Sequence, residues 1–162
     1  TASREVVEVH AAVIGGPVEG GFAAVYSLRL DAGWNVLEAR ASLLGTGRRL
    51  HLRHAPGGAW FDGDGTPLPQ LQDATDVDLP ITPLTNTLPI RRLGLAGGES
   101  AEITVAYIEF PGLTVSPERQ RYTRLSAARY KFESVDGSFT REITVDEHGL
   151  VIYYPGLFQR VW

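Results

Sequence analysis

From Phe22 to Leu30 every second residue is apolar: Phe22, Ala24, Tyr26, Leu28 and Leu30 share one parity, with Gly20-Gly21 before them and Asp31-Ala32-Gly33 after. A side-chain period of two is the mark of a strand with one buried face, and it is incompatible with a helix. The same pattern recurs along the chain at roughly ten-residue spacing, each run closed by Gly, Asp or Pro, which limits the fold to sheets built from hairpins.

Val7, Val9, Ala11 and Val13 predict a first strand over 5–14, broken by Gly15-Gly16-Pro17. Leu37, Ala39, Ala41 and Leu43 predict another over 35–43; Gly45-Thr46-Gly47 turns it into 48–54, and Pro56-Gly57-Gly58 leads to a short aromatic strand ending at Trp60-Phe61. Further strands are expected over 76–79, 101–110, 119–125, 129–134, 138–146 and 150–154, with hairpin turns at Val135-Asp136-Gly137 and Asp146-Glu147-His148-Gly149. The region from Pro67 to Pro89 breaks the rhythm with five prolines. It predicts an ordered loop and one brief helix, capped by Thr87, tolerating Pro89 in its first turn and ended by Gly94. The fold class expected is therefore all-β, roughly ten antiparallel strands in one domain spanning 1–162. Such a sheet must curl into a barrel, a half-barrel or a two-sheet sandwich, and curvature makes a concavity for ligands.

Composition excludes several functions. With no cysteine there are no disulfides, thiolate metal sites or thiol nucleophiles, and a reducing compartment suits such a chain. Fifteen Lys plus Arg against 19 Asp plus Glu leave a formal charge of -4, which argues against nucleic acid as a partner. No apolar run approaches the ~18 residues of a membrane span. The small Thr1 suits removal of an initiator methionine, and the expected location is cytoplasmic. Fourteen of the basic residues are Arg and only Lys131 is Lys, a bias that genome composition explains.

Asp62-Gly63-Asp64-Gly65 opens like a calcium loop, but Thr66-Pro67 follows and no Glu stands at the twelfth position, so a hairpin turn is expected. His51 and His54, three apart on a strand, point to opposite faces and make no metal pair. No Gly-x-Ser-x-Gly elbow and no phosphate-binding glycine loop is present. Neither a metal nor an organic cofactor is expected.

Asp76 and Asp78 share a strand face and stand just before Arg91 and Arg92, a pairing that reads as an ion-pair brace, a ligand contact or an acid–base pair. Thr85, Asn86 and Thr87 offer donors and acceptors in a proline-stiffened frame. The strand Arg119-Gln120-Arg121-Tyr122-Thr123-Arg124 is polar on both parities. Either its inner face lines a wet cavity or it is a charged edge strand. Trp34, Tyr26, Trp60, Tyr107, Tyr130, Tyr153 and Tyr154 supply candidate aromatic walls.

The wording of the chain resembles the bacterial family of putative glycolipid-binding proteins. The resemblance is carried by Asp76-Val77-Asp78-Leu79 running into the stretch from Thr82 to Leu93, by Gln120-Arg121-Tyr122, by Tyr154-Pro155-Gly156-Leu157-Phe158, and by the run from Tyr26 to Trp34. Leu84 stands where the family more often has Phe, a conservative change. The resemblance implies a curved antiparallel sheet partly closed around a short helical segment, similar to the half-barrel of bacterial lipoprotein carriers, and a binding protein rather than a catalyst. Carried over position by position, it implies ligand contacts from Asp76, Asp78, Thr85, Asn86, Arg91, Arg92, Arg121 and Tyr122, with Trp34 as an aromatic wall.

Three functions compete on this basis. The first is a non-catalytic binder of an amphipathic lipid or glycolipid, with an apolar pocket for chains and Arg, Asp and Asn at its mouth. The second is a glycoside hydrolase using Asp76 and Asp78, which same-face spacing of about 7 Å puts on one side of a bond rather than astride it. The third is an interaction protein that forms a homodimer by pairing a sheet edge.

Overall fold

The computed structural model describes residues 5–16 and 19–161; Thr1 and Pro17 lie outside them. The chain is mostly β, with twelve strands among the described residues. Strands β1 (Val6–Gly15), β2 (Phe22–Asp31), β3 (Val36–Leu43), β4 (Arg49–His54) and β5 (Trp60–Asp62) form a five-stranded antiparallel sheet in chain order. A 3-10 turn at Pro69–Leu71 then leads to β6 (Ala74–Asp78) and α1 (Leu84–Leu93). The strands β7 (Ser100–Ile108), β8 (Val115–Ser126), β9 (Arg129–Ser134), β10 (Thr140–Val145), β11 (Val151–Tyr154) and β12 (Phe158–Gln159) complete a second, seven-stranded sheet. One of the two sheets forms a half-barrel. No helix among the described residues is long and apolar enough to cross a membrane.

All eleven expected strands are present within four residues of their expected ends, and Asp62-Gly63-Asp64-Gly65 is a tight turn whose Asp62 carboxylate accepts from the amides of Asp64 and Thr66. Three features differ from the sequence reading. The pairing of β6 with β7 is parallel, so β6, α1 and β7 form a crossover unit in an otherwise antiparallel sheet. A parallel return needs a connection long enough to travel back along the strand, and a helix supplies it.

The second difference is the helix start. The helix opens at Leu84 with Pro83 as its N-cap, so Pro89 lies inside it and Thr87 is not the cap. Pro89 has no N–H to give the carbonyl one turn back, a loss that is normally prohibitive in mid-helix. Here tertiary contacts override it: Thr85 through Ile90 are all buried, and Thr87 donates its hydroxyl to the carbonyl of Gly149 at 2.8 Å. The helix ends as expected at Gly94, whose φ of 54° is left-handed.

The third difference is β8. It is hydrogen-bonded to β7 on one side and β9 on the other, which removes the edge-strand explanation of its two polar faces. From Glu118 to Tyr122 its even-numbered residues turn inward, and Gln120 and Tyr122 are each 1% exposed.

Two apolar clusters result among the described residues. One lies between the five-stranded sheet and the back of β6 and β7, built on Leu28, Leu30, Leu52, Trp60, Leu79 and Leu88. The other fills part of the second sheet's inner face with Ile103, Val105, Tyr122, Phe132 and Ile143. Strand β7 serves both: Ala106 and Ile108 belong to the first cluster, Ile103 and Val105 to the second. That double duty explains why both parities of 101–110 are apolar. The helix also bridges the clusters, through Leu88 and Ile90.

Candidate functional site

Residues opposite one another on paired strands share a face, so the register shows what lines the inside of the second sheet. Asp78 faces Tyr107, Val105 faces Glu118, Ile103 faces Gln120, and Gln120 and Tyr122 in turn face Ser134 and Phe132. The C-terminal half of α1 covers one end of this surface with Ile90 and Arg92. At the other end, beyond Asn86, a cavity of about 380 Å³ is left open.

One wall of the cavity is aromatic. Phe132, Phe139 and Tyr154 meet at mutual centroid distances of 5.8–6.5 Å with steep interplanar angles, and Phe158 joins Tyr154 at 6.1 Å. The opposite wall is polar, made by Asp78, Asn86 and Glu118, with Ser134, Asp136 and Ser138 toward the hairpin between β9 and β10. Leu157, which is 53% exposed, stands with Pro80 among the lining residues. The cavity's polar groups are braced from behind. Thr85 donates to Asp78 Oδ1 at 3.1 Å and Gln120 to Asp78 Oδ2 at 2.6 Å, while Asn86 donates to the Tyr122 hydroxyl at 2.9 Å.

The electrostatics follow from this burial. Burial pushes the Asp78 carboxyl above its ordinary range, and the hydrogen bonds from Gln120 and Thr85 only partly oppose that. Glu118 is also raised, by burial first and then by the charge of Asp78, against one hydrogen bond from Ser134. Burial raises the phenols of Tyr107 and Tyr154, with the Asp78 charge adding to both, so they stand as neutral donors.

The residues singled out from the sequence fall in four places. Asp78 and Asn86 line the cavity, and Thr85 and Tyr122 hold them there. Asp76 is 0% exposed and bound by Arg92, whose Nη2 lies 2.5 Å from Oδ2; this is the brace, on the same face of β6 as Asp78 but under the end of α1 and outside the cavity lining. Arg91 stacks its guanidinium 4.2 Å over the Trp34 ring beside a separate, more open cleft, and donates to the carbonyl of His148. Arg121 lies on the outer face of β8, paired with Glu102 together with Arg119. The three arginines expected at the mouth of the pocket are therefore all elsewhere. His51 and His54 diverge: His51 bonds Glu38, and His54 stacks on Trp60.

Glu118, Phe132, Ser134, Asp136 and Phe139 were missed. A signal existed for Glu118, because the alternation through Gln120 and Tyr122 extends two residues back, but Pro117 reads as a strand breaker and hides it.

Fold and cavity together define a curved-sheet β protein with a ligand-sized, half-aromatic and half-acidic recess. The sequence matches the family described as Putative glycolipid-binding over residues 1–160, and the chain belongs to that family. It is similar to a DUF1089 family protein from Pseudomonas aeruginosa solved by crystallography, with 42% sequence identity and a TM-score of 0.85, covering 99% of this chain and 94% of that one. No curated protein matches the chain significantly.

Proposed function

We propose that this chain is a non-catalytic binding protein that seats the polar head of an amphipathic molecule, a glycolipid in the family's sense, in the cavity of the second sheet. The observation that carries this reading is the cavity's division into an aromatic wall and a hydrogen-bonding wall. Ring faces suit the C–H faces of a sugar, while Asp78, Asn86 and Glu118 suit its hydroxyls. Its volume of about 380 Å³ is in the range of small-molecule sites. The exposed Leu157 and neighbouring Phe158 give an acyl chain an apolar place to lie. A cysteine-free chain suits a reducing, cytoplasmic setting for this task.

Hydrolysis by Asp76 and Asp78 gains nothing from the geometry, since Asp76 is sealed against Arg92 and only Asp78 reaches the cavity. The deciding experiment is native mass spectrometry on protein purified from its own cells, with lipid analysis of an organic extract. A stoichiometric lipid or glycolipid adduct, lost in a Ser138→Trp variant that narrows the cavity, is expected. Protein that carries no lipid and also takes up no added alkyl glycoside would end this reading.

A further inference from the structure

The charge of the cavity says more than its shape, and the argument rests on the reading that the cavity is the binding site. Two carboxylates in one recess are costly to bury unless something cationic answers them. Elsewhere in this fold that rule is obeyed. Asp76, two residues from Asp78 on the same face of β6, has a guanidinium at 2.5 Å; Glu38, 8% exposed on the first sheet, gathers Arg29, Arg40 and His51.

Asp78 is treated differently. Its oxygens accept from a hydroxyl and an amide, both neutral. Glu118 accepts from the hydroxyl of Ser134, again neutral. No Lys, Arg or His is among the described residues that line the cavity, and Asp136 adds a third acid at its edge. The nearby arginines are engaged: Arg92 with Asp76, Arg121 with Glu102, and Arg124 with the carbonyls of Leu95 and Ser126. Arg141 is exposed, with its guanidinium 4.8 Å from the Phe139 centroid, and is not a lining residue. The recess is thus short of positive charge. Its aromatic wall works in the same direction, because ring faces attract cations and have no comparable attraction for anions.

We infer that the cavity selects head groups bearing a protonated amine, such as an amino sugar with a free amino group, over neutral sugars, and that it rejects anionic ones. The ammonium is held between the Asp78 and Glu118 carboxylates and the faces of Phe132 and Tyr154. Ring hydroxyls are left to Asn86 and Ser134.

The test is calorimetric titration at neutral pH with four probes sharing one octyl chain: the glucoside, its 2-amino-2-deoxy counterpart, the N-acetylated form of that amine, and the glucuronide. The expected result is that the amine binds about tenfold or more tightly than the glucoside, the gain of one charge-assisted contact. Acetylation should erase that gain and the glucuronide should bind weakest. In Glu118→Gln, and separately in Asp78→Asn, the amine should lose more affinity than the glucoside, so that the gap between them narrows. Glucoside and amine binding within twofold of each other would overturn the charge inference and leave the cavity reading intact, as would a preference for the glucuronide or a gap unmoved by both variants. Binding of none of the four would remove the cavity reading and this inference together.

Discussion

The side-chain amide of Gln120 on β8 reaches across β7 to the Asp78 carboxylate on β6, closing a 2.6 Å hydrogen bond between residues 42 apart in sequence. It ties together two strands that are not neighbours and holds a cavity-facing acid in a fixed orientation. Replacing Gln120 with Leu removes a donor from a buried carboxylate and should cost about 1–3 kcal/mol, read as a lower urea midpoint with an unchanged m-value.

The same acid sets a pH signature. Because the folded-state pKa of Asp78 is raised, between the unfolded and the folded value the folded protein holds a proton that the unfolded chain has already released. Its contribution is therefore complete below the ordinary carboxylate range and declines as pH rises through that range to the raised folded value. In Asp78→Asn this decline should vanish, making the variant relatively more stable at neutral pH than in acid when urea midpoints are compared with the parent.

Glu38 should do the opposite. Burial alone would raise its carboxyl, but the hydrogen bonds from Arg40, His51 and Arg29 outweigh burial and hold it below the usual 4.5. A depressed folded pKa adds stability above the unfolded value and loses it as pH falls through the folded one. Glu38→Gln should flatten the acid limb of a stability-against-pH curve; an unchanged limb would assign acid unfolding to other carboxylates.

Arg91 and Arg92 are adjacent in sequence and unequal in role. Arg92→Gln leaves Asp76 as an uncompensated charge at 0% exposure and should destabilise by about 3–5 kcal/mol. Arg91→Gln removes an exposed stacking contact with Trp34 and should cost less than about 1 kcal/mol. Equal midpoints for the two variants would refute the brace.

Two glycines with left-handed backbones also separate. A Cβ at Gly94 meets nothing within 4 Å, so Gly94→Ala should cost only the backbone strain, about 1–2 kcal/mol. A Cβ at Gly149 would sit 3.2 Å from Ile90 Cγ2 and 3.4 Å from Arg91 Cγ, pressing the turn off the helix and loosening the Thr87 bond. Gly149→Ala should therefore be the more damaging by thermal melting.

Much of the fold could be read from the chain because its strands obey a period of two and its turns carry Gly and Asp at the positions that need them. The run from Phe22 to Leu30 became β2 within one residue of its expected end. What could not be read locally was long-range. Parallel pairing of β6 with β7 depends on where the helix packs, and Thr85 to Ile90 are tied into the interior by partners up to 62 residues away, as Thr87 is to Gly149. The same holds for the site. Asp78 and Asn86 stood out because unusual polar residues cluster around them, whereas the phenylalanines opposite look like any core residue until the sheet bends. The arginines drew attention as ligand contacts, yet each satisfies a partner within the fold.

The helix that plugs half of the curved sheet has a consequence for anything the cavity holds. The space ends at Asn86, on the first turns of α1, instead of running the length of the strands. A lipid gripped there would be caught by one end, its hydrocarbon trailing past Leu157 into whatever surroundings it came from. On the proposed reading such a protein would be a handle for its cargo and not a container, able to read the head of a molecule still anchored in a bilayer or micelle without first pulling it free.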